Sequence, residues 1–261
     1  MALTPRTSLV AVDLVVLSSY PLKRPRLELR PLGALSMGKV PQDVATAILK
    51  LHQSLTLAEV DFRITDCRRD IAEQAAARAK HENYLRWVVA GKVTPFDPNS
   101  MKVDYVALPG FSFHNAGRAI DINLECLRFK SAASDKQLDA LWETARPLGW
   151  RPIIKEATEG KSESWHFDFM GEWLAYYLRS SKYDDAAMCA SLDIGVSVYP
   201  KSESRMLQAQ LQRAGYDCGT VDGDVGAKSQ AALKASGFAP TERDYTKLFK
   251  LPSSSTLRWK P

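Results

Sequence analysis

The sequence predicts an α+β protein: a larger domain with a small antiparallel sheet flanked by helices, followed by a small all-α domain of three helices. Segments with apolar residues at helical spacing alternate with short segments of alternating polarity, which predicts helices together with half-buried strands. Near residue 180 the composition shifts, and short helical segments follow. A chain of 261 residues is long enough to give each part its own core.

The chain divides into four predicted regions. The stretch from Pro21 to Pro31 is rich in proline and arginine and cannot form a regular helix or a central strand, so an irregular arm is predicted there. Ser180-Ser181, Asp184-Asp185 and Pro200 punctuate a loosely patterned stretch, which predicts a linker. The predicted boundaries are 1–40 for the arm, 41–180 for the larger domain, 181–203 for the linker and 204–255 for the small helical domain.

Periodicity predicts the elements of the larger domain. Apolar residues at helical spacing predict helices from Pro41 to Leu57, from Ile71 to Val89, from Ser134 (as N-cap) to Arg146 and from Trp173 onward. Alternation predicts strands at 60–65, 119–124 and 164–169, and residues 91–110 are predicted to form a long loop. His52 and His81 lie in predicted helices, where solvated positions are expected. Cys126 is expected to be a buried apolar filler.

The small domain is predicted from helices at 204–214 and 228–235, joined by a loop rich in glycine.

Composition excludes several classes of protein. Apolar residues at 45% and charged residues at 25% argue against disorder and membrane insertion, and a net charge of +5 is too small to indicate a nucleic-acid partner. The four cysteines form no C-x-x-C pair, which argues against a zinc knuckle or a redox motif. No signal peptide is recognisable, so we expect the protein to be made in the cytoplasm with reduced thiols. We also expect it to be a monomer.

Two segments carry the residues of a catalytic metal site. Residues 111–121 contain His114 and Asp121, and Glu163 and His166 follow about forty residues later. Two imidazoles and one carboxylate are a ligand set of catalytic zinc, which keeps a fourth position open for water. Glu163 has the wrong parity to share the strand face of His166, so it is expected on the preceding loop, as a general base rather than a ligand. We therefore predict a zinc peptidase.

Two further side chains complete the predicted chemistry. Asp168 shares the strand face of His166 and is a candidate to accept a hydrogen bond that fixes the imidazole tautomer. Peptide hydrolysis also needs positive charge at the oxyanion or at a substrate carboxylate, which a guanidinium fork suits. Arg69 is preferred for this role, with Arg68 as the alternative.

The segment from Ser112 to Asp121 resembles the S-x-H-x-x-G-x-A-x-D signature of the zinc D-alanyl-D-alanine carboxypeptidases, a family that includes vancomycin-resistance dipeptidases and phage L-alanyl-D-glutamate endopeptidases. The sequence from Glu163 to His166 resembles its E-x-W-H motif. The resemblance implies that His114, Asp121 and His166 bind Zn²⁺ and that Glu163 is the base. Ser112 and Trp165 are predicted to bind substrate.

The residues from Arg69 to Gln74 resemble the family's R-S-x-x-x-Q element, whose arginine contacts the substrate. Asp66-Cys67-Arg68 stands where the family has Ser-Gly-Tyr, and Asp70 stands where it has serine. These departures leave open both the choice between Arg68 and Arg69 and the substrate preference.

The tail resembles a different family, the three-helix peptidoglycan-binding module. The resemblance lies in the residues from Leu207 to Leu233, which include Val221-Asp222-Gly223 and Gly226; Ser229 replaces the usual threonine, and the trailing Phe-Gln is absent. Together the two resemblances imply a peptidoglycan peptidase delivered to the wall by its C-terminal module.

Several alternatives remain at the sequence level. The scissile bond is D-Ala-D-Ala, cut as carboxypeptidase or endopeptidase, or L-Ala-D-Glu. A non-catalytic wall-binding protein with a structural zinc is the competing hypothesis, which the free carboxylate of Glu163 disfavours. Without a recognisable export signal, a phage endolysin or a secreted effector acting on the wall or in the periplasm is expected.

Overall fold

The computed structural model describes Thr7 and residues 9–11, 39–58, 60, 62–89, 106–124, 127–155, 157 and 163–237. Most of the predicted arm, most of the predicted loop at 91–110, Cys126 and the end of the predicted small domain lie outside these residues. Predictions for those parts of the chain therefore stay predictions.

Six strands and seven helices follow one another in the described residues. The strands are β1 Leu9–Ala11, β2 Lys39–Pro41, β3 Ile64–Asp66, β4 Ala119–Ile122, β5 Arg151–Pro152 and β6 His166–Asp168. The helices are α1 Gln42–Leu57, α2 Ile71–Val89, α3 Gln137–Ala145, α4 Leu174–Ser180, α5 Tyr183–Asp193, α6 Ser202–Arg213 and α7 Ala227–Ser236. Strands β3-β4-β6-β5 form an antiparallel sheet, and β1 pairs with β2. The predicted α+β class with a small antiparallel sheet is confirmed.

One core lies between α1, α3 and the sheet. Val44, Ile48 and Leu51 point from α1 into it, as their spacing predicts, and each is fully buried. Trp150 is buried in the same core, and its indole N–H donates to the carbonyl of Ala47 at 3.3 Å. The large apolar face of α1 thus holds one side of the sheet in place.

The start of α3 differs from the prediction. A 3₁₀ turn, Ser134–Lys136, precedes the helix, so Lys136 rather than Ser134 takes the N-cap position of α3. The buried side chain of Gln137 instead accepts from the N–H of Phe129 and donates to the carbonyls of Ala132 and Ala133. Gln137 therefore holds the entry to the helix, because its amide reaches backbone groups that a serine side chain cannot reach.

The prediction that His81 is solvated was wrong, since only 7% of the residue is exposed. Gln74 and Arg78, two turns and one turn before it, donate to the carbonyls of Ala107 and Val106, respectively. Residues three and four apart share a helix face, so His81 lies on the face that contacts this segment. His52 is half-buried, and burial lowers its pKa.

A helix occupies much of the predicted linker. Helix α5 spans Tyr183–Asp193, and its residues from Ala186 to Asp193 are all buried. It forms a second core with α6 and with residues of the larger region, among them Phe113 and Trp173. The helices predicted at 204–214 and 228–235 correspond to α6 and α7. The division at 181–203 stays a prediction, but Tyr183–Asp193 within it forms a packed helix.

No helix among the described residues is both long and apolar enough to cross a membrane.

Candidate metal centre

Two neighbouring strands place Asp121 beside His166. Strands β4 and β6 are antiparallel neighbours, and Asp121 and His166 face each other in register. Side chains directly opposite on adjacent strands share one face of the sheet, so the carboxylate and the imidazole lie close together. His114 lies in the turns before β4, where its carbonyl accepts from the N–H groups of Gly117 and Arg69.

The three side chains converge on a common point. His114 Nε2 lies 3.2 Å from His166 Nδ1 and 3.3 Å from Asp121 Oδ1, and His166 Nδ1 lies 3.0 Å from the same oxygen. Ligands about 2.0–2.1 Å from a tetrahedral ion lie about 3.3 Å apart, so these spacings suit an ion that all three atoms share. Within the described part of the chain, the three residues form a group able to hold a metal ion.

The outer nitrogens of both imidazoles have partners that fix the tautomers. His114 Nδ1 lies 2.6 Å from the carbonyl oxygen of Cys67, to which it donates. His166 Nε2 lies 2.9 Å from Asp168 Oδ1, the contact predicted for Asp168. Each ring therefore keeps its other nitrogen as a lone-pair donor toward the common point, which is the usual outer support of metal-binding histidines.

The electrostatics of the site hold Asp121 as an anion. Burial alone would raise the pKa of Asp121, but the charges and hydrogen bonds of His114 and His166 outweigh it and place the pKa below its usual range. Burial likewise opposes charge on His166, yet Asp168 and Asp121 raise its pKa well above the ordinary value. The two carboxylates thus favour the charged imidazole, so a cation that binds His166 competes with a proton.

Glu163 lies at the edge of this group. It precedes β6, as predicted, and its Oε2 is 3.9 Å from His166 Nδ1. Its side chain is 24% exposed, so it stands where the site meets solvent. Its backbone has a φ of 65°, a region that few residues other than glycine adopt and that often marks functional sites.

Arg69 also faces the site. Its Nη2 lies 3.9 Å from Asp121 Oδ2, and the guanidinium donates to Asp66 and, at 3.1 Å, to Gln74 Oε1. Gln74 donates in turn to the carbonyl of Ala107 at 2.8 Å. The neighbouring Arg68 has a buried Nε with no hydrogen-bond partner among the described residues, and its Cδ packs beside Gly117. The geometry thus favours Arg69 over Arg68 as the arginine of the site.

The two residues predicted to bind substrate, Ser112 and Trp165, lie close to metal ligands in the sequence. Ser112 is buried, and its hydroxyl accepts from the N–H of His114 at 3.2 Å. Trp165 is half-buried, and its carbonyl accepts from the N–H of Ile122 at 2.9 Å. Ser112 therefore shapes the His114 turn, and the substrate-binding role of both residues stays a prediction.

Sequence reasoning missed two supports of the site. The carbonyl of Cys67 orients His114, and a backbone oxygen leaves no trace in residue type. Tyr183 donates from α5 to Asp168 Oδ2 at 2.7 Å. Burial and the charge of Asp168 raise the pKa of Tyr183, so its hydroxyl keeps its proton. Only the folded position of Tyr183 beside Asp168 could have identified it.

The match to a known family covers the ligands and Glu163. The sequence model of VanY, D-alanyl-D-alanine carboxypeptidase, matches residues 38–172. The chain belongs to this family. The predicted resemblance to the D-alanyl-D-alanine carboxypeptidases is confirmed, and with it the prediction of an enzyme of the zinc D,D-peptidase type.

Two solved structures are similar to the VanY-family chain. One is VanYB in complex with D-alanine-D-alanine, 17% identical, covering 66% of this chain and 91% of that chain with a TM-score of 0.38. The other is a glutamate-to-alanine mutant of the vancomycin resistance D,D-pentapeptidase VanY, from a VanB-type resistance cassette, in complex with Zn(II). It is 19% identical and covers 57% of this chain and 84% of that chain, with a TM-score of 0.36. A search of curated proteins gave no significant match.

Proposed function

We propose that this VanY-family protein is a zinc-dependent peptidase that hydrolyses peptidoglycan stem peptides at their D-Ala-D-Ala end. The observation that carries the proposal is the convergence of His114 Nε2, Asp121 Oδ1 and His166 Nδ1, with the carboxylate of Glu163 close by but outside the trio. A structural zinc site has four protein ligands and no use for such a carboxylate. The arrangement therefore favours catalysis over the competing structural role.

The donor set fits zinc. Two neutral imidazole nitrogens and one carboxylate oxygen are typical ligands of catalytic zinc, and three protein ligands leave one position open. When bound, zinc would act as a Lewis acid toward the peptide carbonyl and lower the pKa of a water molecule to about 7.

Glu163 and Arg69 supply two further functions, proton transfer and binding of the substrate carboxylate. Glu163 takes the proton of the attacking water and gives it to the leaving amine, which its exposed position at the edge of the site permits. Arg69 binds the terminal carboxylate of the peptide with its guanidinium fork. Asp66 and Gln74 hold that guanidinium in place, so little conformational freedom is lost when the substrate binds.

We further propose that the C-terminal region binds the cell wall and that the protein acts there as a phage endolysin or a secreted effector, reaching the wall after lysis or specialised export. The proposal is supported by the resemblance of the tail to peptidoglycan-binding modules. In this region Gln208 binds Asp222, Gly223 and Ser229 through its side-chain amide. These bonds fix the Val221-Asp222-Gly223 loop between α6 and α7.

The direct test uses purified full-length protein and a synthetic stem pentapeptide ending in D-Ala-D-Ala. We expect release of D-alanine with zinc and none after chelation, with activity restored by added zinc. Mass spectrometry of digested sacculi will then separate carboxypeptidase, D-Ala-D-Ala endopeptidase and L-Ala-D-Glu endopeptidase products. Binding to sacculi without any change in the muropeptides would instead favour the non-catalytic alternative.

Zinc affinity should depend on pH. Although burial opposes charge on His166, Asp168 and Asp121 raise its pKa, so a proton competes with zinc for this imidazole up to a higher pH than at an ordinary histidine. Below that pKa, the zinc dissociation constant should rise about tenfold for each unit that the pH falls, since one proton competes with the ion. Chelator competition between about pH 6 and pH 8 measures this dependence. A dissociation constant that stays flat over this range contradicts proton competition at His166.

A further inference from the structure

Asp168 is a carboxylate that solvent does not reach. Its exposed fraction is 0%, and it faces Arg151 across the β5–β6 ladder. One carboxylate oxygen, Oδ1, lies 2.9 Å from His166 Nε2, and the other, Oδ2, accepts from the hydroxyl of Tyr183 at 2.7 Å. The orientation of the carboxylate toward the imidazole is therefore set from two sides.

Packing fixes the ring of Tyr183. It contacts Phe113 edge-on at 5.3 Å between ring centroids, and it lies 6.3 Å from the ring of Tyr177. Phe113 is fully buried and directly precedes His114. The same tyrosine thus packs against the residue that precedes one metal ligand and hydrogen-bonds the carboxylate that supports another.

Tyr183 lies outside the family match, which ends at residue 172. It is the first residue of α5, in the stretch that the sequence predicts as a linker. A contact from this helix to the metal centre joins the family region to the part of the chain that follows it.

We propose that Tyr183 is a positioning residue of the metal centre. Its hydroxyl holds Asp168, which holds His166 in the tautomer and rotation that present Nδ1 to the ion. Helix α5 is thereby part of the catalytic unit. This inference rests on the proposed zinc site and adds a residue that the family match does not contain.

The test is the zinc dissociation constant of full-length Tyr183→Phe, measured by chelator competition. The substitution keeps the ring and its packing and removes the donor, so Oδ2 of Asp168 loses the hydrogen bond from the hydroxyl of Tyr183. Loss of an outer support of a metal ligand weakens binding about 10- to 100-fold, and we expect about 10-fold here, one step further from the ion. The visible spectrum of the Co(II)-substituted protein should shift with it.

The matched control is Tyr176→Phe. Tyr176 is also buried, in the preceding helix, and its hydroxyl is beside Ser180 rather than Asp168. We expect this variant to lower the melting temperature of the metal-free protein without changing zinc affinity. A general loss of packing would affect both variants alike.

A double-mutant cycle shows whether Tyr183 acts through Asp168. In an Asp168→Ala background, Tyr183→Phe should change zinc affinity no further, because the group it positions is gone. Wild-type affinity in Tyr183→Phe, an equal loss in Tyr176→Phe, or additive losses in the double variant would each overturn the inference while leaving the zinc site intact. A wild-type protein that binds no zinc, or that His114→Ala does not weaken, would overturn the proposed function and this inference together.

Discussion

Glu163→Gln is expected to slow peptide hydrolysis by orders of magnitude while zinc stays bound. Glutamine has nearly the same shape as glutamate but cannot take a proton from water at neutral pH. General base catalysis contributes a factor of about 10² to 10⁴, so turnover should fall on the order of 10³-fold. The three ligand atoms do not include Glu163, and the zinc dissociation constant should change less than about threefold, far below the loss expected on removal of a support of a metal ligand. Release of D-alanine and chelator competition measure the two quantities on the same sample.

Two comparison variants make the result specific. Glu143→Gln removes an equivalent charge from an exposed position on α3, and we expect wild-type turnover. His114→Ala should instead lose zinc and activity together, because it removes a ligand. Normal turnover by Glu163→Gln would rule out the base, and a loss of zinc equal to that of His114→Ala would make Glu163 a ligand.

The site was predictable where chemistry determines residue type within short segments. His114 and Asp121 lie seven positions apart, and the alternation around His166 places Asp168 on the same strand face. The position of Glu163 before β6 followed from strand parity alone. Such patterns survive folding because neighbouring residues keep their relation in a strand or turn.

Long-range packing was not predictable in this way. His81 was wrongly expected to be solvated because its sequence neighbours Lys80 and Glu82 are charged, whereas the face it shares with Arg78 contacts residues about 30 positions away. The same limit applies to α5. Its apolar residues include three alanines and lack a clear helical stripe, so the stretch resembles a linker although all residues from Ala186 to Asp193 are buried. Burial there is imposed by surfaces that other elements supply.

Truncation after Ser180 is expected to prevent folding of the VanY-family region. This change removes α5, α6 and α7, and with them more than half of the core that covers Phe113 and Trp173, both fully buried. It also removes the hydrogen bond from Tyr199 to the carbonyl of Gly110 and the ion pair between Arg213 and Glu172. Exposing each large apolar side chain costs about 1.5–3 kcal/mol.

Those losses are comparable with the whole stability of the protein. The free energy of unfolding of a domain is only about 5–15 kcal/mol. Exposure of Phe113, Trp173 and Met170 together therefore removes much of it, and the loss of the polar contacts adds to this. We therefore expect residues 1–180 to show no cooperative thermal transition and no zinc binding at wild-type affinity. Differential scanning calorimetry and chelator competition test this.

Truncation after Gly237 is the matched comparison, because it preserves every contact among the described residues. The sequence-based boundaries make the opposite prediction for the shorter chain, since a linker at 181–203 would leave residues 41–180 able to fold alone. A cooperative transition within a few degrees of the full-length protein, with wild-type zinc affinity, would support that division and contradict the shared core. If the 180-residue chain loses the cooperative transition and the zinc affinity while the 237-residue chain keeps them, α5 and α6 belong to the peptidase. Any wall-binding surface is then carried on a rigid extension of the catalytic unit.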